Sequence, residues 1–193
     1  MSRVSNDMRP AGIKLTCDDF VLFPDDGKRH ELIDGEHYVT PSPNTKHQRV
    51  SLNLVVLIAN WLEDHPIGQI FHAPFDVVMS RFDVVEPYLL YISNQRTAEI
   101  LTAQHVRGAP DLVIEIGSPG TRKRDETIKR RLYERTGVSE YWFVDPDLDV
   151  VRVYRLEGDQ FARPMELSRG AGDVLTTPTL DGLTLPLARI FRD

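Results

Sequence analysis

The sequence predicts an α/β (α+β) domain in which helices pack on a central mixed β-sheet, with additional β-hairpins. Three observations predict it. Short runs such as 112–116 and 141–144 are apolar without alternation, the pattern of strands covered on both faces. Between such runs lie segments whose apolar residues recur at helical spacing. The order helix, hairpin, long helix, several strands, helix, more strands shows no internal repeat and no linker. Residues 15–193 therefore read as one domain behind a flexible tail of residues 1–14.

Thr16, followed three residues later by Asp19, caps a short helix that ends at Pro24. Two β-prone arms from Glu31 to Val39 flank Asp34-Gly35, a strong hairpin signal. Pro41-Ser42-Pro43 is a loop, and Asn44 caps a helix running to about Glu63, with Val50, Leu54, Ile58 and Trp61 as its buried stripe. Strands are expected at 70–72, 75–79 and 88–92, then a short helix and loop over 94–107. Pro110-Asp111 opens a further strand, and Ser118-Pro119-Gly120-Thr121 turns into a charged helix that Gly137 closes. Asp145-Pro146-Asp147 joins strands 141–144 and 150–154 as a hairpin, and the 160–167 and 180–187 segments finish the sheet.

The chain has 193 residues, 41% apolar and 27% charged, the profile of a globular domain with a full core. Its single cysteine, Cys17, excludes an internal disulfide and a cysteine-based zinc site, and fits a cytoplasmic location. No apolar run is long enough to span a bilayer and the first residues lack a signal-peptide core, so no membrane partner is expected. The net charge of −6 argues against a large non-specific nucleic-acid grip but leaves room for a local basic patch. The six histidines show no zinc or non-haem iron spacing. Phosphate-loop, dinucleotide-fold and nucleophile-elbow patterns are absent, so no organic cofactor is expected.

Chemistry concentrates around residues 110–133. In a strand, Asp111, Val113 and Glu115 share one face, and two carboxylates on one face repel unless a cation lies between them. Oxygen-only ligation of that kind suits Mg²⁺ or Mn²⁺. On the following helix Lys129 points nearly opposite Arg131, toward the core, and needs an anionic partner such as Asp125 or Glu115. Arg124, Arg131 and Arg135 line up on the solvated face. Glu115 and Lys129 fit a metal site or, as the commoner arrangement, a structural ion pair, and Asp111 fits a metal ligand or a turn cap. His47, three residues before Val50 on the apolar helix face, reads as a hydrogen-bonded core histidine.

Several segments in order resemble one family: Glu31-Leu32-Ile33-Asp34-Gly35-Glu36; Pro41-Ser42-Pro43 with His47; Asp76-Val77-Val78; Glu86-Pro87-Tyr88-Leu89-Leu90; Pro110-Asp111-Leu112-Val113-Ile114-Glu115; Arg124-Asp125 with Lys129 and Tyr133; and Glu140-Tyr141-Trp142. The chain from about Thr16 to Phe191 is similar to the Uma-type restriction endonucleases of the PD-(D/E)xK nuclease superfamily. The resemblance implies a restriction endonuclease-like fold and hydrolysis of DNA phosphodiester bonds with Mg²⁺ or Mn²⁺. It implies Glu115 as the acid of the (D/E)xK element, Lys129 as a migrated lysine (Gly117 holds the usual lysine position), and Glu31 as the early acid. It also implies an aspartate, the principal metal ligand, where this chain has Tyr88. A phenol binds Mg²⁺ poorly, which implies impaired catalysis unless Glu86, Asp76 or Asp111 compensates. The alternative is a catalytically inactive nuclease fold that binds nucleic acid or a protein partner. Double-strand cutting with one centre per chain would favour a homodimer.

Overall fold

The Asp34-Gly35 pair turns the first hairpin because both residues take positive φ, 52° and 76°, which matches the twist of the flanking strands. This computed structural model describes residues 14–24, 26–40, 42 and 44–192. The expected tail at residues 1–13, and Pro41 and Pro43 of the expected loop, lie outside the described residues. The chain begins α1 (Cys17–Phe20), β1 (Arg29–Ile33), β2 (Glu36–Thr40), α2 (Thr45–Asp64), β3 (Gly68–His72), β4 (Val77–Ser80), β5 (Asp83–Val85), β6 (Leu89–Ser93), α3 (Asn94–Ile100), β7 (Val106–Arg107) and β8 (Leu112–Ile116). A continuous helical segment follows: α4 (Arg122–Arg124), a π-turn (Asp125–Lys129) and α5 (Arg130–Thr136). Then come β9 (Glu140–Asp145), β10 (Val150–Glu157), β11 (Gln160–Phe161), β12 (Met165–Ser168), β13 (Val174–Thr176), a 3-10 turn (Pro178–Leu180), β14 (Thr184–Pro186) and α6 (Leu187–Ile190).

The main sheet runs β11-β10-β9-β8-β6-β3, with β12 also on β10. Only β8 and β9 are parallel in it, joined by the α4–α5 crossover. A second sheet, β2-β1-β5-β4-β7, packs across one face, and β13-β14 forms a separate hairpin. The main sheet is covered on both faces, as its unbroken apolar runs predict. Leu112, Ile114 and Ile116 of β8 join Val50, Leu54 and Ile58 of α2 in one core. Val113 joins Leu132 and Tyr133 of α5, with Val77 and Val85 of the second sheet, in the other. Each fully buried aliphatic side chain contributes ~1.5–3 kcal/mol, so these two layers supply most of what holds the sheets in register.

The caps form as read. Asp19 completes a capping box with Thr16, the Asn44 side chain accepts from the His47 amide, and Gly137 (φ 82°) closes α5. The late segments differ from expectation. The 160–167 run is two short strands, β11 and β12, on one edge of β10, and 180–187 does not extend the main sheet because β14 pairs only with β13. The 75–79 run becomes β4, one strand of a sheet whose partner β5 carried no clear signal. Trp61 is only partly buried, and Leu57 and Leu62 complete the α2 stripe instead.

Gly117 ends β8 under a steric constraint. Its amide donates to the Val144 carbonyl (2.8 Å), and a Cβ here would meet the Phe143 ring at 2.6 Å. No side chain fits beside Glu115 at that position, so a lysine acting there has to come from another element. We predict that Gly117→Ala lowers the thermal midpoint by roughly 2–12 °C, since overpacking costs ~1–3 kcal/mol and each kcal/mol moves a chain this size by ~2–4 °C. Calorimetry measures it, and an unchanged midpoint would mean that Phe143 gives way freely.

Candidate functional site

Three elements converge on one buried ammonium. Glu31 comes from β1 of the second sheet, Glu115 from β8 of the main sheet, and Lys129 from the last position of the π-turn. Lys129 Nζ donates to Glu31 Oε1 (2.6 Å) and Glu115 Oε1 (2.8 Å), and all three side chains are shielded from solvent. Tyr133, one helical turn on, donates its hydroxyl to the same Glu115 oxygen (2.6 Å). Burial opposes the charge on Glu31, but Lys129, Arg29 and Arg124 outweigh it and hold the carboxyl below its usual range. Burial likewise opposes the charge on Lys129, and Glu115, Glu31 and Asp125 reverse the balance, so the amine stays protonated. Tyr133 is driven well above its usual value by burial and by Glu115.

The π-turn sets the lysine's direction. Arg130 N–H reaches back five residues to the Asp125 carbonyl, and both Asp125 and Lys129 face inward. Asp125 does not pair with the ammonium directly. Its Oδ2 is buried without a hydrogen-bond partner, and burial raises the carboxyl to about 7, with Lys129 pulling it down and Glu115 pushing it up.

An open cleft of about 620 Å³ lies next to this cluster, lined by Lys28, Arg29, His47, Glu86 and Tyr88 among others. Glu86 and Tyr88 lie outside both flanking strands, and the strand expected at 88–92 begins at Leu89. The chain leaves β5 after Val85 and enters β6 at Leu89, so Glu86-Pro87-Tyr88 is the crossing from the second sheet to the main one. Arg29 bridges this crossing. Its guanidinium stacks over the Tyr88 ring at 4.1 Å, and one terminal N–H₂ group donates to the Glu86 carbonyl. Arg29 Nε approaches Glu86 Oε1 to 2.7 Å without being aligned for a hydrogen bond, so that contact is an ion pair. The other flank of Tyr88 meets the His47 ring, 4.3 Å between centroids. His47 Nε2 bonds the Ile116 carbonyl (2.9 Å), as expected for a core histidine, and burial holds the ring neutral by lowering its pKa. Burial raises the Tyr88 phenol, against the pull of Arg29.

Of the predicted site residues, Glu31, Glu115 and Lys129 meet at one point, and Glu86 joins through its amide, which donates to Glu31 Oε1 (3.1 Å). Asp76 stands nearby: it and Glu31 help burial to raise the Glu86 carboxyl, while Arg29 opposes. Asp111 is not brought to the cluster. It precedes β8 at the end away from Glu115, accepts the Ser93 amide (2.7 Å) and pairs with Arg96 (3.2 Å), so the turn-cap reading describes it. The solvated arginine stripe holds for Arg131 and Arg135, which are exposed, Arg135 also holding Asp83 with two hydrogen bonds. Arg124 departs from it, turning inward to Thr40 (2.8 Å) and lying 3.6 Å from Glu31. Arg29 went unread as a site residue. The signal was its place two residues before Glu31, on the same strand face.

The donors do not fit a resident divalent ion as they stand. A hard cation such as Mg²⁺ needs several unencumbered oxygens. Glu31 is already used by Lys129, Thr40 and the Glu86 amide, Glu86 faces Arg29, and Tyr88 offers a neutral phenol. Glu115 Oε2 is the buried oxygen of this cluster left without a partner, apart from Asp125 Oδ2. Among the described residues no group of three or more His, Cys, Asp or Glu side chains is placed to hold a metal ion. No helix among them is long and apolar enough to cross a membrane.

The mixed sheet, the β8–helix–β9 crossover and the acid-lysine cluster define a domain of the restriction endonuclease-like class. A crystal structure from Anabaena variabilis ATCC 29413, titled as a putative nuclease belonging to DUF820, superimposes with a TM-score of 0.77 at 21% identity, over 92% of this chain and 97% of that one. At that identity the likeness establishes the fold. The chain belongs to the Uma2 family, described as "Putative restriction endonuclease", whose family model matches residues 17–188. Comparison with curated proteins gives no match.

We predict that Lys129→Met destabilises the fold by ~3–5 kcal/mol, because it leaves two buried carboxylates without their shared cation. Urea denaturation measures it, and a loss below ~1 kcal/mol would mean that the carboxylates take up protons at little cost. A pH series tests Asp125. Its folded pKa of about 7 lies above the usual 3.8, so its contribution is complete below pH 4 and is lost as pH rises to about 7. Asp125→Asn should flatten the stability profile over that window, and an equally steep fall in the variant would assign it to another group.

Proposed function

We propose that this chain acts on DNA at the Arg29–Tyr88 cleft and that its phosphodiester hydrolysis is curtailed by Tyr88. The observation that carries this reading is the phenol itself. Where the resemblance implies a metal-binding aspartate, the cleft presents a neutral ring held between Arg29 and His47. The rest of the layout supports nuclease ancestry. Glu115 and Glu31 form the anionic floor, and Lys129 is fixed against both. In the lineage the reaction draws on Mg²⁺ or Mn²⁺, which lowers the pKa of a bound water and offsets charge building on the phosphate. In this chain Lys28 and Arg29 give the cleft its positive edge for a phosphate backbone, and Lys129 holds Glu31 and Glu115 in place.

An active metal-dependent endonuclease is the second reading. Glu115 Oε2, which lacks a partner, and Asp76, whose carboxyl lies close enough to Glu31 to be raised by it, favour that reading as sources of substitute ligands. A two-fold homodimer would suit either reading if both strands of a duplex are engaged.

Plasmid and single-stranded DNA incubated with Mg²⁺ or Mn²⁺ separate the two. We predict no cutting by the wild type, cutting by Tyr88→Asp, and its loss in Tyr88→Asp/Lys129→Met, with circular dichroism confirming that each variant is folded. Wild-type cutting abolished by Glu115→Gln would establish the second reading. Silence from every variant, with no retention of DNA in a gel, would remove DNA as the substrate.

A further inference from the structure

We propose that the Arg29 guanidinium is the resident cation of the cleft: it stands where a divalent ion would, so the site meets a phosphodiester group without metal. The inference deepens the reading above and rests on it only for the identity of the ligand. Three observations carry it.

The carboxylates of the cleft are already paired. Glu31, Glu86 and Glu115 are each held by Arg29, Arg124 or Lys129, every one of these cations within 4.0 Å of at least one of the carboxylates, while burial raises the carboxyls of Asp76 and Asp125 beside them. A divalent ion would have to displace those cations from the oxygens it needs. Arg29 is also lodged rather than draped. Its side chain is 17% exposed, with Tyr88 beneath the guanidinium and Glu86 contacting it through both side chain and backbone. Finally, donors remain. A guanidinium carries five N–H groups, and Glu86 engages Nε and one terminal nitrogen, leaving N–H groups on a residue that lines the cleft. A planar donor fork of this kind matches two phosphate oxygens.

Tyr88 and Arg29 thus act as a pair. An aspartate at position 88 would draw a metal, whereas the aromatic ring gives the guanidinium a platform and adds no charge for a metal to use.

The test titrates Mn²⁺ into apo protein by calorimetry and, separately, measures anisotropy of a labelled 20-base-pair duplex in EDTA and in Mn²⁺. We predict no resolvable Mn²⁺ heat for the wild type up to millimolar metal, and binding by Tyr88→Asp. Tyr88→Asp/Arg29→Gln should bind at least ~10-fold more tightly than Tyr88→Asp, because a neighbouring positive charge is gone. Wild-type duplex binding should be the same in EDTA as in Mn²⁺ and weaken at least ~10-fold in Arg29→Gln, with Arg29→Lys recovering only part. Wild-type Mn²⁺ binding that Glu115→Gln abolishes would overturn the proposal. So would a double variant no tighter than Tyr88→Asp, or duplex binding indifferent to Arg29. Absence of duplex binding in every form would count against DNA as the ligand, and the Mn²⁺ titration would then decide on Arg29 alone.

Discussion

Everything around the candidate site is arranged to keep one ammonium between two carboxylates in a dry interior. Glu31 and Glu115 belong to different sheets, and Lys129 is the cation that makes their approach tolerable. An isolated buried carboxylate costs several kcal/mol, so the cluster depends on the cation between the two acids. The contact therefore fixes the distance between β1 and β8 as well as their chemistry. It also explains the π-turn. The extra residue in that turn aims Asp125 and Lys129 inward together, while the straight helix on either side keeps Leu132 and Tyr133 in the core.

The second constraint is electrostatic and sits at the mouth of that interior. A metal site needs carboxylate oxygens free for its ion. Here Arg29 engages Glu86 from within the chain, tied to the Glu86-Pro87-Tyr88 crossing between the sheets. Because that crossing also lends its Glu86 amide to Glu31, cleft and buried cluster share one hydrogen-bonded path.

Much of this was legible in the sequence. The alternation in β8 assigned Glu115 to one face and Leu112, Ile114 and Ile116 to the other, and helix periodicity turned Lys129 inward although the π-turn breaks ideal spacing. Both hold because buried positions are set by which side of an element is apolar, a local property. What stayed hidden depends on which elements meet. Asp111 and Glu115 share a strand face, yet pairing with Ser93 and Arg96 on a neighbouring element takes Asp111 out of the site. Arg124 looked solvated because its helix face was judged without the second sheet, whose Thr40 and Glu31 receive it. The Glu86–Tyr88 crossing stayed hidden for the same reason, since the sheet change at Pro87 leaves no periodicity to follow.

The lysine's chemistry follows from its surroundings. A base that activates water must give up its proton near neutral pH, and lysines that do so are desolvated without anionic partners. Lys129 has the opposite environment: Glu115, Glu31 and Asp125 together overcome the cost of its burial and raise its pKa. Its ammonium donates separate hydrogen bonds to the two carboxylate oxygens, at 2.6 and 2.8 Å, and losing the charge would leave those acids in direct repulsion. Lys129 therefore serves as a fixed positive charge that orders Glu115. Proton transfer at this site, in any variant that regains turnover, has to pass through a group other than the lysine. The same pairing ties the stability of the fold to the charge that holds Glu31 and Glu115 in place.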